Sequence, residues 1–166
     1  MRQEGVKMEE NFYFKGSTLQ VEYSLTIPVD TNIVWDHLTK TEDIAKWFQE
    51  IETGELKPDG YMLFRLPDSE ITMPILSFIQ DSEIAYEWGG IGSVRFKLTP
   101  ISEGTKLDFY ESLPEDFSHR IRDITGWSLA LERLKQTILG KQTTFDMDKF
   151  QETENRYREM INNLKL

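Results

Sequence analysis

From Phe117 to Leu139, apolar residues fall at Phe117, Ile121, Ile124, Leu131, Leu134 and Ile138, in steps of three, four or seven that place them on one face of a long amphipathic helix. Gly140 supplies its stop, after Lys135 has set positive charge near the negative end of the helix dipole. Gly126, in the middle beside Trp127, costs about 1 kcal/mol against Ala inside a helix, so its presence implies a close approach to the backbone there. A face this wide needs a large partner surface, and the segments before it read as strands. Leu19, Val21, Tyr23, Leu25 and Ile27 alternate with polar residues, the period of a half-buried strand. Pro28 ends that strand. Asp30 or Thr31 caps a short helix with Ile33, Val34, Trp35 and Leu38, and Thr41 caps a second with Ile44, Ala45, Trp47 and Phe48 on its buried side.

From Ile51 onward, strands alternate with turns. Pro58-Asp59-Gly60 and Pro67-Asp68-Ser69 flank the alternating Met62, Phe64 and Leu66. Ile71, Met73 and Ile75 continue the pattern through Pro74, which marks an edge or a bulge. Ile84, Tyr86 and Trp88 follow; beyond Gly89-Gly90 and Gly92 come Val94, Phe96 and Leu98; beyond Glu103-Gly104 come Leu107, Phe109 and Glu111. Returns this short imply an antiparallel meander. The expected class is α+β: a curved antiparallel sheet of six or seven strands, two short helices after the first strand, and the long helix packed on the sheet.

Three segments are expected. Residues 1–17 form a flexible N-terminal arm whose Phe12-Tyr13-Phe14 docks on the body, residues 18–141 the domain, and residues 142–166 a helical extension. In the extension Met147, Phe150, Tyr157, Ile161 and Leu164 recur at helical spacing, which predicts a helix from about Asp146 to Asn163. Its stripe packs back on the domain or meets a protein partner or second copy through residues 146–164.

With 166 residues and 39% apolar content, the chain suffices for one domain burying roughly 70% of its unfolded surface. The net charge of −10 is carried before residue 141, and so acidic a body argues against nucleic acid and membrane as partners. Without cysteine there is no disulfide, no thiolate zinc site and no thiol nucleophile. No apolar stretch reaches the roughly 18 residues of a membrane span, and residues 1–11 are too polar for a signal peptide, so a cytoplasmic location is expected. His37 and His119 are far apart and in no metal-ligand spacing. Gly90-Ile91-Gly92 lacks the third glycine and the following helix of a dinucleotide loop, and neither a phosphate loop nor a GxSxG elbow occurs. No catalytic residue, metal or cofactor is expected, and the chain reads as a protein without enzymatic activity.

Taken in order, Val34-Trp35-Asp36-His37-Leu38-Thr39, Ile44 with Trp47-Phe48, Gly60 with Phe64, Tyr86 with Trp88, and Gly126-Trp127 with Leu131 resemble the START-like (SRPBCC, helix-grip) superfamily. Within it the chain is most similar to the domain family named after the activator of the heat-shock-protein-90 ATPase. The resemblance covers about Leu19 to Gly140; the helical extension lies outside the usual domain, and the segment before Ile44 lacks the common proline. The resemblance implies a helix-grip fold in which the curved sheet wraps the long helix and leaves an apolar cavity between them. On that expectation the cavity is lined by Trp47, Phe64, Met73, Ile75, Tyr86, Trp88, Phe96, Phe109, Glu111, Ile124, Trp127 and Leu131.

Large aromatics either line such a cavity or fill it, and a filled gap would remove the carrier reading. Glu111, in phase with Leu107 and Phe109 at a strand end, either forms a rim salt bridge with Arg120 or Arg122 or anchors a ligand hydroxyl or amine. The expected function is binding of a small hydrophobic molecule of the lipid, sterol or aromatic polyketide class, in a stress-related role. The alternative is a protein-interaction module resembling chaperone ATPase activators; an enzyme using the cavity comes third.

Overall fold

The strict alternation at 19–27 produces a strand whose burial alternates residue by residue, and this strand and its neighbours set the architecture. In the computed structural model, which describes residues 7–164, the strands are β1 (Glu9–Lys15), β2 (Thr18–Ile27), β3 (Ile51–Glu55), β4 (Tyr61–Arg65), β5 (Glu70–Ile79), β6 (Glu83–Trp88), β7 (Gly92–Ile101) and β8 (Gly104–Leu113). Helices α1 (Thr31–Thr39) and α2 (Thr41–Ile44) follow β2, α3 (Arg120–Ile138) follows β8, and α4 (Met147–Leu164) comes last. All eight strands form one antiparallel sheet in the order β1-β2-β8-β7-β6-β5-β4-β3. The class is therefore α+β with a helix-grip arrangement, and the strand count is one above the upper expectation.

The added strand comes from the expected arm. Residues 9–15 pair along their whole length with β2, and Phe12, opposite Val21, is buried in the core. An aromatic triplet read as a docking group is thus part of a ladder, because its alternation (Phe12 in, Tyr13 partly out) is too short to stand out from the sequence. Residues 1–6 of the arm lie outside the described residues.

Pro74 sits where β5 changes partners: residues 70–74 pair with β4, residues 75–79 with β6, and the register shifts between Ile75 and Ser77. A residue without an N–H is tolerated at such a point. The long helix begins at Arg120, three residues later than the apolar pattern suggests, because His119 takes a left-handed conformation (φ 56°) as its N-cap. Phe117 instead packs over the β6–β7 turn, where a Cβ on Gly89 (φ +63°) would lie 2.5 Å from its ring. Ala45 is exposed, because α2 ends at Ile44.

The α4 stripe turns inward. Tyr157 and Ile161 are buried in the same core as Phe12 and Tyr23, and Tyr157 meets Phe12 edge to face at 5.1 Å and stacks on Tyr23 at 6.2 Å. The Tyr157 hydroxyl donates to the Glu10 carboxylate of β1 and accepts from the Ser128 hydroxyl of α3 at 2.7 Å. Arg156 forks onto Glu10 at 2.8 and 3.1 Å, and Lys149 pairs with Glu132 at 2.6 Å. Of the expected stripe, Met147 and Leu164 remain exposed, while Tyr157 and Ile161 pack back on the domain. No helix among the described residues is long and apolar enough to cross a membrane.

Replacing Tyr157 by Ala is expected to cost about 3–5 kcal/mol, the range of a large buried aromatic truncated to Ala, and Tyr157→Phe about 1–2 kcal/mol for the lost hydrogen bonds. Urea denaturation of the two variants checks this. Equal stability of wild type and Tyr157→Ala would mean that α4 is only loosely held.

Candidate functional site

The core between sheet and α3 is aromatic. Trp127, on the sheet-facing side of α3, has its ring centre 4.9 Å from Phe109 of β8, 4.9 Å from Trp88 of β6, 5.8 Å from Phe96 of β7 and 6.5 Å from Trp47. Ile124 and Leu131 flank it on α3, and the Ile124 carbonyl accepts the Tyr23 hydroxyl at 2.8 Å. Tyr86 packs 6.1 Å from Phe96, Met73 and Ile75 are buried on β5, and Phe64 is half-buried against Trp88 at 5.6 Å. Most of the residues expected to line a cavity are therefore in mutual contact, and the inner part of the cleft is filled by their side chains. The reason is volume: ring centres 5 to 6 Å apart leave no ligand-sized void between them.

Open space begins where this packing ends. A groove of about 670 Å³ runs between the α2–β3 connection, the adjoining face of α3 and the segment leading into α4. Of the expected residues, Trp47, Trp88 and Trp127 reach it; Phe48, Phe145 and Phe150 add to its aromatic lining, and Lys46, Gln49, Glu50, Arg122, Asp123, Arg133 and Thr143 make it strongly polar as well. Gly126 faces this groove, not the sheet, since a Cβ there would meet nothing within 4 Å. Its lack of a side chain leaves the groove open rather than letting the helix approach the sheet. The α2–β3 wall is held to α3 by Arg133, which donates to the Trp47 carbonyl at 3.0 Å, and to α1 by Trp47 Nε1, which donates to the His37 carbonyl at 2.7 Å.

Beneath the groove lies an unusual polar cluster. Glu111, between Val21 and Val94 on the inward face of the sheet, is 1% exposed and is neither at a cavity mouth nor paired with an arginine. Arg120 instead donates to the Ser17 and Leu113 carbonyls and covers the Phe14 ring. The partner of Glu111 is Asp123. Burial first, then the hydrogen bond to Asp123 and the negative charge of that group, push the Glu111 carboxyl well above its ordinary value of 4.5. Asp123 Oδ1 accepts Trp88 Nε1 at 2.9 Å. Both Glu111 oxygens, Asp123 Oδ2 and Trp127 Nε1 accept or donate no other hydrogen bond among the described residues. Asp123 and Trp127 are one helical turn apart on the same face of α3, so all four groups meet at one place.

Sequence reasoning singled out Glu111 and missed Asp123 and Phe48 as groove residues. The signal for Asp123 was present in its position four residues before Trp127, the spacing that stacks two side chains on one helical face. Phe145 carried no such signal, because its place depends on the path of the connection into α4. Among the described residues no group of three or more His, Asp or Glu is placed to hold a metal ion. His37 Nδ1 lies 2.9 Å from the Ile33 carbonyl and His119 is exposed at the start of α3.

The family described as Activator of Hsp90 ATPase homolog 1-like protein matches residues 28–138. Among solved structures, the conserved protein of unknown function EF2215 from Enterococcus faecalis is 34% identical, with 94% of this chain and 92% of that chain covered and a TM-score of 0.87. CalU16 from Micromonospora echinospora is 19% identical over 93% of this chain and 98% of that chain, with a TM-score of 0.74. Protein BH1534 from Bacillus halodurans is 18% identical over 72% and 96%, with a TM-score of 0.60. The two more distant structures share the fold. No curated protein matches the chain.

Two outcomes test the cluster. Trp127→Ala is expected to lower stability by about 3–5 kcal/mol, as for other large aromatic truncations in a core. Glu111 makes a signed forecast: its carboxyl is raised in the folded chain, so the folded state holds a proton that the unfolded state releases above about pH 4.5, and stability falls as pH rises from there toward the folded value. Glu111→Gln, which keeps the shape and cannot ionise, should therefore be close to wild type at pH 5 and more stable than wild type at pH 8 in thermal denaturation. Parallel pH profiles for the two proteins would show that Glu111 is not the group concerned.

Proposed function

Because the chain belongs to the family described as Activator of Hsp90 ATPase homolog 1-like protein, whose domain it spans, we propose that it is a binding module whose site is the groove between the α2–β3 connection, α3 and the start of α4. The ligand is a small, largely apolar molecule of the lipid, sterol or aromatic polyketide class. What carries this is the groove's make-up: about 670 Å³ over the edges of Trp47, Trp88 and Trp127, left open by Gly126 and underlain by polar atoms without partners. Ligand sites combine apolar walls with polar groups that fix orientation; here the three tryptophan edges supply the apolar part, and Lys46, Glu50, Arg122, Asp123 and Arg133 make about half of the lining polar. The filled inner cleft counts against carriage between sheet and helix and favours a site at the cleft's mouth.

A second function is favoured by the family description itself: a protein-interaction module of the chaperone-activator kind, using the acidic surface of a chain with net charge −10. The two make opposite forecasts. Burying about 300 Å² of apolar ligand surface at roughly 25 cal/mol per Å² gives about 7 kcal/mol before association costs, hence micromolar binding at best.

Titrating sterols, fatty acids and aromatic polyketides against tryptophan fluorescence should give a saturable response for at least one class, since three tryptophans border the groove. Gly126→Leu, which has room for its side chain only in the groove, should abolish that response without lowering the melting temperature. No saturable signal from any class, together with a salt-sensitive complex with a chaperone, would favour the interaction module instead.

A further inference from the structure

We propose that the groove's ligand carries a carboxylate, received by the Arg133 guanidinium at one end of the groove while its apolar body lies along α3 toward the tryptophan edges. This rests on the groove being a ligand site and names the chemistry that the site selects. The chain as a whole carries a net charge of −10, yet the groove's lining holds three cations, Lys46, Arg122 and Arg133, against two carboxylates, Glu50 and Asp123. An acidic protein that gathers cations beside an aromatic wall sets that place apart from the rest of its surface. The pairing of those charges narrows the choice. Lys46 is held by Asp43 at 3.0 Å. Asp123 is engaged inward, with Oδ1 on the Trp88 indole and Oδ2 buried. Neither arginine has a carboxylate at ion-pair distance among the described residues: Arg122 stands exposed, and Glu132, the carboxylate next to Arg133 in sequence, is taken by Lys149 at 2.6 Å.

Arg133 is the better receiver of the two. It is half-buried, and one of its N–H groups donates to the Trp47 carbonyl at 3.0 Å, which fixes the guanidinium against the α2–β3 wall. A guanidinium has five N–H donors, and the other four have no partner among the described residues. A planar cation already anchored by one N–H can donate two parallel hydrogen bonds to a carboxylate at little further ordering cost. A hydroxyl accepts one such bond without charge pairing, and an amine is repelled. The ligand's body has its place on the same helix face. Gly126, Ala130 and Arg133 follow one another in steps of four and three, so a strip of small residues leads from the guanidinium to the level of Trp127. Arg122 continues this face at its far end, eleven positions and about 16 Å along the axis from Arg133. One carboxylate cannot meet both. Solvent screens Arg122, which adds to the field without holding the group.

The test uses three compounds of one shape, adamantane carboxylate, adamantane methanol and adamantane methylamine, which leave tryptophan signals unobscured. Indole N–H resonances of the full chain are followed by NMR at pH 7 and low salt. The carboxylate should bind about tenfold more tightly than the alcohol, and the amine weakest, as a charge-assisted pair of hydrogen bonds adds to the same apolar body. Arg133→Gln, whose amide can still donate to the Trp47 carbonyl, should reduce the carboxylate's advantage to about twofold, whereas Arg122→Gln should leave most of it. Where Arg133→Gln does not fold, the wild-type ranking decides. Acetate at the same concentration should shift nothing, because it lacks the body; a response equal to that of adamantane carboxylate would reduce the site to surface charge and overturn the proposal. Equal binding of carboxylate and alcohol, tighter binding of the amine, or an undiminished preference in Arg133→Gln overturns the assignment to Arg133 while leaving the groove as a ligand site. No binding of any of the three adamantanes overturns both.

Discussion

The fold depends on a single ring. Trp127 projects from the middle of α3 into contact with β6, β7, β8 and the α2–β3 connection at once, so one side chain fixes the distance of the helix from the sheet and the position of the wall opposite. A residue of that size can be satisfied in few ways. Its neighbours are mostly aromatic because flat rings at varied tilts fill the space around an indole with few voids. The groove exists at the boundary of this packing, where Gly126, one residue before Trp127, contributes no volume.

The buried carboxyl pair is the opposite kind of feature. An apolar residue in place of Glu111, facing Val21 and Val94, would satisfy the alternation of β8 at no electrostatic cost. The sheet instead holds a group that must keep a proton to stay buried and that leans on Asp123, itself leaning on the Trp88 indole. A chain of this kind weakens the core relative to a hydrocarbon filling. Asp123, the residue it leans on, is at the same time a lining residue of the groove, so the pair links the inner sheet to that surface.

How much of this was legible depends on period. The strand at 19–27, the meander and the long helix announce themselves because a repeat of two or of three to four is sustained long enough to exclude the alternative. The first strand escaped notice because its alternation is brief and its pairing with β2 is a non-local matter. The burial of Glu111 was half legible: its phase put it inside, but nothing in the sequence says that the nearest charge would be Asp123 from α3 rather than Arg120 or Arg122, three positions and one position before it on the same helix. Whether inward aromatics line a space or occupy it is likewise undecided by alternation, which gives the side a residue faces and not the distance to what it faces.

Glu10 on the first strand and Tyr157 on the last helix lie 147 positions apart and touch. The clasp between them, with Arg156 forked on the same carboxylate, closes nearly the whole described chain into a loop. During synthesis, then, β1 and β2 emerge early, and although pairing of β2 with β8 closes most of that loop, the sides of Phe12 and Tyr23 that Tyr157 covers stay open until α4 has left the ribosome. The final act of folding is to seal the first-made part of the sheet, and a nascent chain stalled before residue 157 would present that face to chaperones or to its neighbours.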